Sequence, residues 1–206
     1  MIHYISKPKN MLEKDLLDQM FIERAEAFKV RREWSVTVQD GREYDQFDDM
    51  DPLYVVVSSD AGELQASIRI LPTSGPHMLS DVFPEVMGEG EFVRSPLVWE
   101  LSRLSVVKSN AMISHQGVNL STYQLLDACF QVAYDSGISH LIGVYDVFVQ
   151  RILRRAGYKF DQIGPVVRYD RGLKTIAGLA DVEENMRSLL SRQGVPMSTP
   201  SMRFQR

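Results

Sequence analysis

Charged residues interrupt two of the most apolar stretches of this 206-residue chain. Arg69 lies within Ala66-Ser67-Ile68-Arg69-Ile70-Leu71, and Glu100 and Arg103 lie within Val98-Trp99-Glu100-Leu101-Ser102-Arg103-Leu104-Ser105-Val106-Val107. Both runs read as strands, the second with apolar residues on both faces, which marks a central position in a sheet. A charge buried there without a partner costs several kcal/mol. The fold must therefore deliver countercharges to these strands. The segment Arg42-Glu43-Tyr44-Asp45-Gln46-Phe47-Asp48 can do so through Asp45 and Asp48. Carboxylates and guanidinia gathered in this way satisfy one another, a zwitterionic ligand, or both. In an ideal strand Glu100 and Ser102 point one way and Arg103 the other. A β-bulge near Leu101 would turn both charges into one cleft, and bulges favour the neighbourhood of active sites.

The remaining pattern supplies layers for that sheet. Residues 11 to 29 have apolar residues at helical spacing (Leu12, Leu16, Met20, Phe28), with Asn10 as N-cap and Glu13 completing a weakened capping box. A polar segment from Arg31 to Met50 follows, broken by Asp40-Gly41, and long connections of this kind tend to be functional. A hairpin spans 53–57 and 63–71, with Leu64, Ala66, Ile68 and Ile70 on one face and Gln65, Ser67, Arg69 and Leu71 on the other. Further on come a helix at 119–136, a strand at 139–145, a helix at 147–156 and two strands within 158–179. A last helix from about Asp181 to Arg192 precedes a flexible tail from about residue 193. No repeat or linker divides the chain, so residues 1–206 read as one domain. The expected class is an α/β (α+β) three-layer sandwich, a mixed sheet with helices on both faces.

Composition excludes several functions. Hydrophobic residues at 44% and charged residues at 24% are ordinary for a globular protein. A net charge of −4 argues against a nucleic-acid partner. No apolar run reaches the roughly 18 residues of a membrane span, and the N-terminus lacks the layout of a signal peptide. The single cysteine, Cys129, rules out a disulfide framework, and the four histidines have no metal-ligand spacing. A cytoplasmic protein without metal or cofactor is the expectation.

The order and spacing of Arg24, Phe28, Trp34, Asp45, Asp48, Arg69, Glu100 and Arg103 resemble the acyl-homoserine lactone synthases, the autoinducer synthases of bacterial quorum sensing. The matching stretches are Arg24-x3-Phe28-x5-Trp34, Glu43 to Asp48, Ser67 to Thr73, Pro76 to Leu79 with Phe83, and Val98 to Val106. The resemblance covers most of residues 1 to 180. It implies a mostly antiparallel sheet similar to the GCN5-related N-acetyltransferases. It also implies transfer of an acyl group from a thioester to S-adenosylmethionine (a substrate, not a cofactor), then lactonisation with release of methylthioadenosine. Carried over position by position, it places Glu100, Ser102 and Arg103 in catalysis and Arg24, Phe28, Trp34, Asp45, Asp48, Arg69 and Arg103 at S-adenosylmethionine.

The chemistry of these residues suits that reaction. An ammonium must lose a proton before its nitrogen attacks a thioester, and Glu100 is the candidate base. An arginine fork, Arg69 or Arg103, fits the substrate carboxylate. Asp45 and Asp48 would attract the ammonium and sulfonium, and Phe28 and Trp34 offer aromatic faces. Alternatively Arg24, Asp45, Asp48 and Arg69 form one ion network that orders the 31–50 loop. The acyl chain is expected between the sheet and the 119–136 helix, against Leu101, Leu125, Cys129, Val144, Val147 and Phe148. Where many family members carry a serine or threonine that favours a 3-oxo chain, this sequence has Tyr145 and Asp146. That departure puts 3-oxo selectivity in doubt and leaves room for an unsubstituted, branched or aryl chain. Arg151, Arg154, Arg155 and Lys159 form a basic cluster for an acyl-carrier protein or coenzyme A, or else a solvated helix end. A monomer or weak dimer is expected. The rival reading is an acetyl-coenzyme A-dependent N-acetyltransferase. It is weakened because Lys108 to Asn119 holds one glycine where a glycine-rich pyrophosphate loop belongs.

Overall fold

A computed structural model describes residues 1–88, 93–108, 114–169 and 172–191. The expected tail from 193 and residues 109–113 of the would-be pyrophosphate loop lie outside them. In chain order the strands are β1 (Ile2–Ile5), β2 (Val38–Gln39), β3 (Arg42–Glu43), β4 (Leu53–Ser58), β5 (Leu64–Pro72), β6 (Val98–Val106), β7 (Ser114–His115), β8 (Val118–Asn119), β9 (His140–Asp146), β10 (Asp161–Gln162), β11 (Val167–Tyr169) and β12 (Leu173–Asp181). The helices are α1 (Met11–Arg24), α2 (Met78–Asp81), α3 (Leu120–Asp135), α4 (Val147–Arg155) and α5 (Val182–Ser191). One sheet runs β1-β4-β5-β6-β9-β12, with β10 and β11 both pairing on β12. Every pairing in it is antiparallel except β6 with β9. The segment after Gly157 thus holds three strands rather than the two expected, because β10 and β11 are too short to show a period.

Side-chain alternation sorts the sheet into two faces. Val55, Val57, Ala66, Ile68, Ile70, Leu101, Leu141 and Ile176 pack under α3, α4 and α5 in the main core. Tyr54 and Val56 take the opposite face under Leu16 and Met20 of α1, and Val98, Ile142 and Ala177 lie there under Leu79. Leu64 departs from its expected face and joins the α1 side, because the register shifts between Val57 and Ser58. The N-terminus of α1 is fixed as the sequence predicts. Asn10 Oδ1 accepts from the Glu13 N–H at 2.9 Å, and Glu13 Oε2 accepts from the Lys9 N–H at 2.6 Å.

Two local irregularities position the site. The α1 helix widens into a π-helical segment, Ala25–Arg31, which ends at Arg32. Such segments are rare and concentrate at functional sites. This one, with the small β2–β3 hairpin turned by Asp40 (φ 50°) and Gly41 (φ 75°), gives form to the expected loop. The second irregularity is the bulge in β6. It lies two residues beyond the expected Leu101: Ser67 pairs with Ser105 but Arg69 with Ser102, leaving one extra residue on β6. Arg103 absorbs it with φ 57°, a left-handed value unusual for a side-chain-bearing residue. In consequence Glu100, Ser102, Arg103 and Ser105 all reach the α1 face, while Leu101 and Leu104 stay with the main core.

Candidate active site

The embedded charges find one another. Arg24, wholly buried on the last turn of α1, places its NH1 and NH2 on the two oxygens of Asp48 at 2.8 and 2.9 Å, and its Nε on Glu43 at 2.6 Å. Arg69 NH1 reaches Asp45 at 2.5 Å and Asp48 at 2.8 Å, and its Nε donates to Ser102 Oγ at 3.1 Å. Arg103 NH2 pairs with Glu43 at 2.9 Å and Asp45 at 2.7 Å. The Tyr54 hydroxyl also donates to Asp48 at 2.7 Å. Burial alone would push the Asp48 carboxyl up, but Arg24 and Arg69 outweigh it and hold the group well below the usual carboxylate range. Three guanidinia thus face three carboxylates, and the network is formally neutral. Its acids come from the 42–48 segment and its bases from α1, β5 and β6, so it orders that loop against the sheet.

Glu100 sits apart from this network. Its oxygens accept the Met78 and Leu79 N–H groups at 2.9 and 2.6 Å, at the start of α2. Burial pushes its pKa up against the pull of those two donors. Each carboxylate oxygen keeps a second lone pair. Glu100 is therefore firmly oriented, and its proton affinity is shifted towards that of a useful base.

β6 and β9 pair only from Val98 with His140 to Leu101 with Gly143, then part. A Cβ on Gly143 would stand 3.1 Å from the Leu101 carbonyl oxygen, so glycine permits the close approach at the fork. Beyond the fork a cleft of about 920 Å³, open to solvent, runs from one face of the sheet to the other. On the α1 side it is lined by Phe28, Arg32, Trp34, Met78, Glu100, Ser102 and Arg103. On the α3 side Ile68, Leu101, Leu126, Tyr145, Val149, Leu153 and Phe160 make an apolar arm. Phe28 and Trp34 stack with centroids 5.3 Å apart. Carboxylate, cations and aromatic faces thus meet an apolar arm at a gap in the sheet.

Comparison with known proteins agrees with this layout. Residues 8–190 match the family model described as autoinducer synthase. An acyl-homoserine-lactone synthase from Rhizobium etli is 37% identical over 154 residues, 73% of this chain and 72% of the relative. The chain belongs to the autoinducer synthase family. Among solved structures, a CoA-dependent acyl-homoserine lactone synthase determined with SAM and isopentyl-CoA superposes with a TM-score of 0.81. The two are 28% identical over 95% of this chain and 90% of the other. A Lactobacillus plantarum chain named for N-acetyltransferase activity, 16% identical with a TM-score of 0.57 over 88% of this chain and 97% of its own, shares the fold alone. The enzyme is thus an acyltransferase of the synthase kind, and the acetyltransferase rival is set aside.

Not every residue singled out from the sequence reaches the cleft. Phe28, Trp34, Glu100, Leu101, Ser102, Arg103, Val144 and Tyr145 line it, while Arg24, Asp45, Asp48 and Arg69 form the network behind. Leu125 and Cys129 are fully buried in core packing, and their neighbour Leu126 takes the lining position. Val147 is not among the lining residues, and Phe148 is 62% exposed. Asp146 is spent as the N-cap of α4, accepting the Phe148 and Val149 N–H groups at 2.8 and 2.9 Å. Arg151, Arg154 and Arg155 are exposed on α4, but Lys159 pairs with Glu184 at 3.0 Å. Two residues were missed: Glu43, which bridges Arg24 and Arg103, and Arg32, on the cleft wall. Glu43 stands in the same acidic run as Asp45 and was legible there. Arg32 had no distinguishing signal beside Arg31.

Proposed function

We propose that this enzyme joins an acyl group from an acyl thioester to the amino group of S-adenosylmethionine. It then closes the methionyl part into N-acyl-homoserine lactone, a quorum-sensing signal. The observation that carries the reading is the cleft at the fork of β6 and β9, which joins the charged, aromatic wall to the apolar arm beside Glu100. Adenine and the sulfonium take the Phe28–Trp34 wall, and the acyl chain takes the arm under α3 and α4. Glu100, directly or through one water, removes a proton from the substrate ammonium. The freed nitrogen attacks the thioester carbon, and the oxyanion is met by main-chain N–H groups exposed where the strands part. Collapse forms the amide and expels the thiolate. The substrate carboxylate then displaces methylthioadenosine from the carbon bonded to sulfur, a step that depends chiefly on positioning.

Arg151, Arg154 and Arg155 offer a basic surface to either coenzyme A phosphates or an acidic carrier protein. The larger Tyr145 in place of a small hydroxyl favours coenzyme A thioesters with unsubstituted, branched or aryl chains. No described helix is long and apolar enough to cross a membrane, and a cytoplasmic site of action is part of this reading. The test is to incubate the protein with S-adenosylmethionine and a panel of acyl-coenzyme A and acyl-carrier-protein thioesters, following products by mass spectrometry. Stoichiometric lactone and methylthioadenosine are expected. Folded protein that yields neither across the panel would overturn the reading.

A further inference from the structure

An amino-acid substrate brings a carboxylate, and the arginines that sequence offers for it are already committed. Arg69 is divided among Asp45, Asp48 and Ser102, and Arg103 among Glu43, Asp45 and the Met78 sulfur at 3.2 Å. With Arg24 shared between Glu43 and Asp48, the three guanidinia and three carboxylates leave no cation to spare. One further arginine lines the cleft. Arg32, at the end of the π-helical segment, holds its guanidinium 5.7 Å from the Phe28 ring centroid and 5.6 Å from that of Trp34.

Among the described residues no carboxylate lies within ion-pair distance of Arg32. Asp146 is the acid whose charge acts on it, and its Oδ1 is engaged by two N–H groups of α4. Beside Arg32, the Trp34 indole Nε1–H is buried and has no acceptor among the described residues. A cation and a neutral N–H donor, both without an acceptor on the same wall, form a receptor for a small planar anion. We propose that Arg32 binds the carboxylate of the amino-acid sulfonium, with the Trp34 indole N–H as second donor. This assignment rests on the reading of the substrate given above. It supplies a fork outside the neutral network, so the carboxylate can be held for lactonisation without breaking a buried ion pair.

The test compares three nucleosides by calorimetric titration of the full chain: S-adenosylmethionine, its decarboxylated analogue and methylthioadenosine. Wild type should bind S-adenosylmethionine at least about tenfold more tightly than the decarboxylated compound. Arg32→Gln should erase that preference, weakening S-adenosylmethionine roughly 10- to 100-fold while the other two change less than about twofold. Arg32→Lys, which keeps the charge without the fork, should fall between, and Trp34→Phe should weaken S-adenosylmethionine a few-fold more than it weakens the other two nucleosides. The KM for the acyl thioester should not move in Arg32→Gln. Equal weakening of all three nucleosides would show that Arg32 only props the aromatic stack and would overturn the proposal. So would unchanged S-adenosylmethionine binding, or a raised thioester KM instead. Wild-type protein that binds none of the three would overturn the substrate reading itself, and this assignment with it.

Discussion

Glu100 carries two obligations that pull apart under mutation. It anchors the first N–H groups of α2, and in the proposed mechanism it takes the proton of the substrate ammonium. Glu100→Gln keeps the shape but turns one oxygen into an N–H donor facing another donor, which costs about 1–3 kcal/mol of stability by urea unfolding. Loss of general-base catalysis should be the larger effect, a fall of roughly 10²–10⁴ in kcat. Burial raises the Glu100 pKa, so the active, ionised form is populated only above a pH higher than an ordinary glutamate needs. The wild-type rate should therefore climb with pH along an acidic limb, and Glu100→Gln should flatten it. A variant that melts early but retains wild-type turnover would leave Glu100 as an anchor alone. Tyr145 makes the opposite prediction. Its buried hydroxyl has no hydrogen-bond partner among the described residues and lies over the Gly178 backbone, where a Cβ would stand 1.9 Å from it. Tyr145→Phe removes an unpaired polar group, so the melting temperature should hold or rise, by up to about 1–2 kcal/mol of stability. A loss of stability would mean that the hydroxyl has a partner after all.

At the level of elements, α4 separates a capping residue from a lining one. Asp146 caps this helix, whereas Leu126 of α3 and Val149 and Leu153 of α4 border the apolar arm. Asp146→Ala should cost about 0.5–2 kcal/mol in a urea titration and leave the profile of accepted acyl chains unchanged. Leu126→Trp should instead shorten the longest chain accepted, by filling the arm. If Asp146→Ala changed chain selectivity, the carboxylate would have a role beyond the cap. Sequence could not sort these residues because Leu125, Leu126 and Cys129 all fall on the broad apolar side of α3, and they look alike until the tertiary packing is known. The capping of α1, the hairpin β4–β5 and the alternation in β5 from Ala66 onward were legible because local chemistry decides them. The π-helical segment and the exact place of the β6 bulge were not, since each answers to the ion network arriving from another segment.

The whole molecule depends on that network, which ties α1, the 42–48 loop, β5 and β6 into one unit. Sequence offered it as one of two readings, mutual pairing or contacts to a ligand, because charges within strands must be paired somewhere. Its neutrality was not legible there, since Glu43 had to be seen bridging Arg24 and Arg103 before the count closed. Neutrality has a consequence for acid stability. The Asp48 pKa lies well below its unfolded value near 3.9, so the native state binds fewer protons than the unfolded chain as pH falls through that range. The stabilisation is fully present above about pH 4 and is lost as pH drops towards the depressed folded pKa. Asp48→Asn removes the charge and leaves Arg24 and Arg69 short of a countercharge, so at neutral pH it should cost about 3–5 kcal/mol. The same variant should lose part of the acid-dependent slope, because the group that titrates is gone. Urea midpoints for both proteins from pH 7 down to pH 3 measure this directly: the gap between them should narrow as the solution is acidified. Parallel curves would show that Asp48 does not carry the acid sensitivity, and that the paired arginines draw their compensation from Glu43 and Asp45 instead.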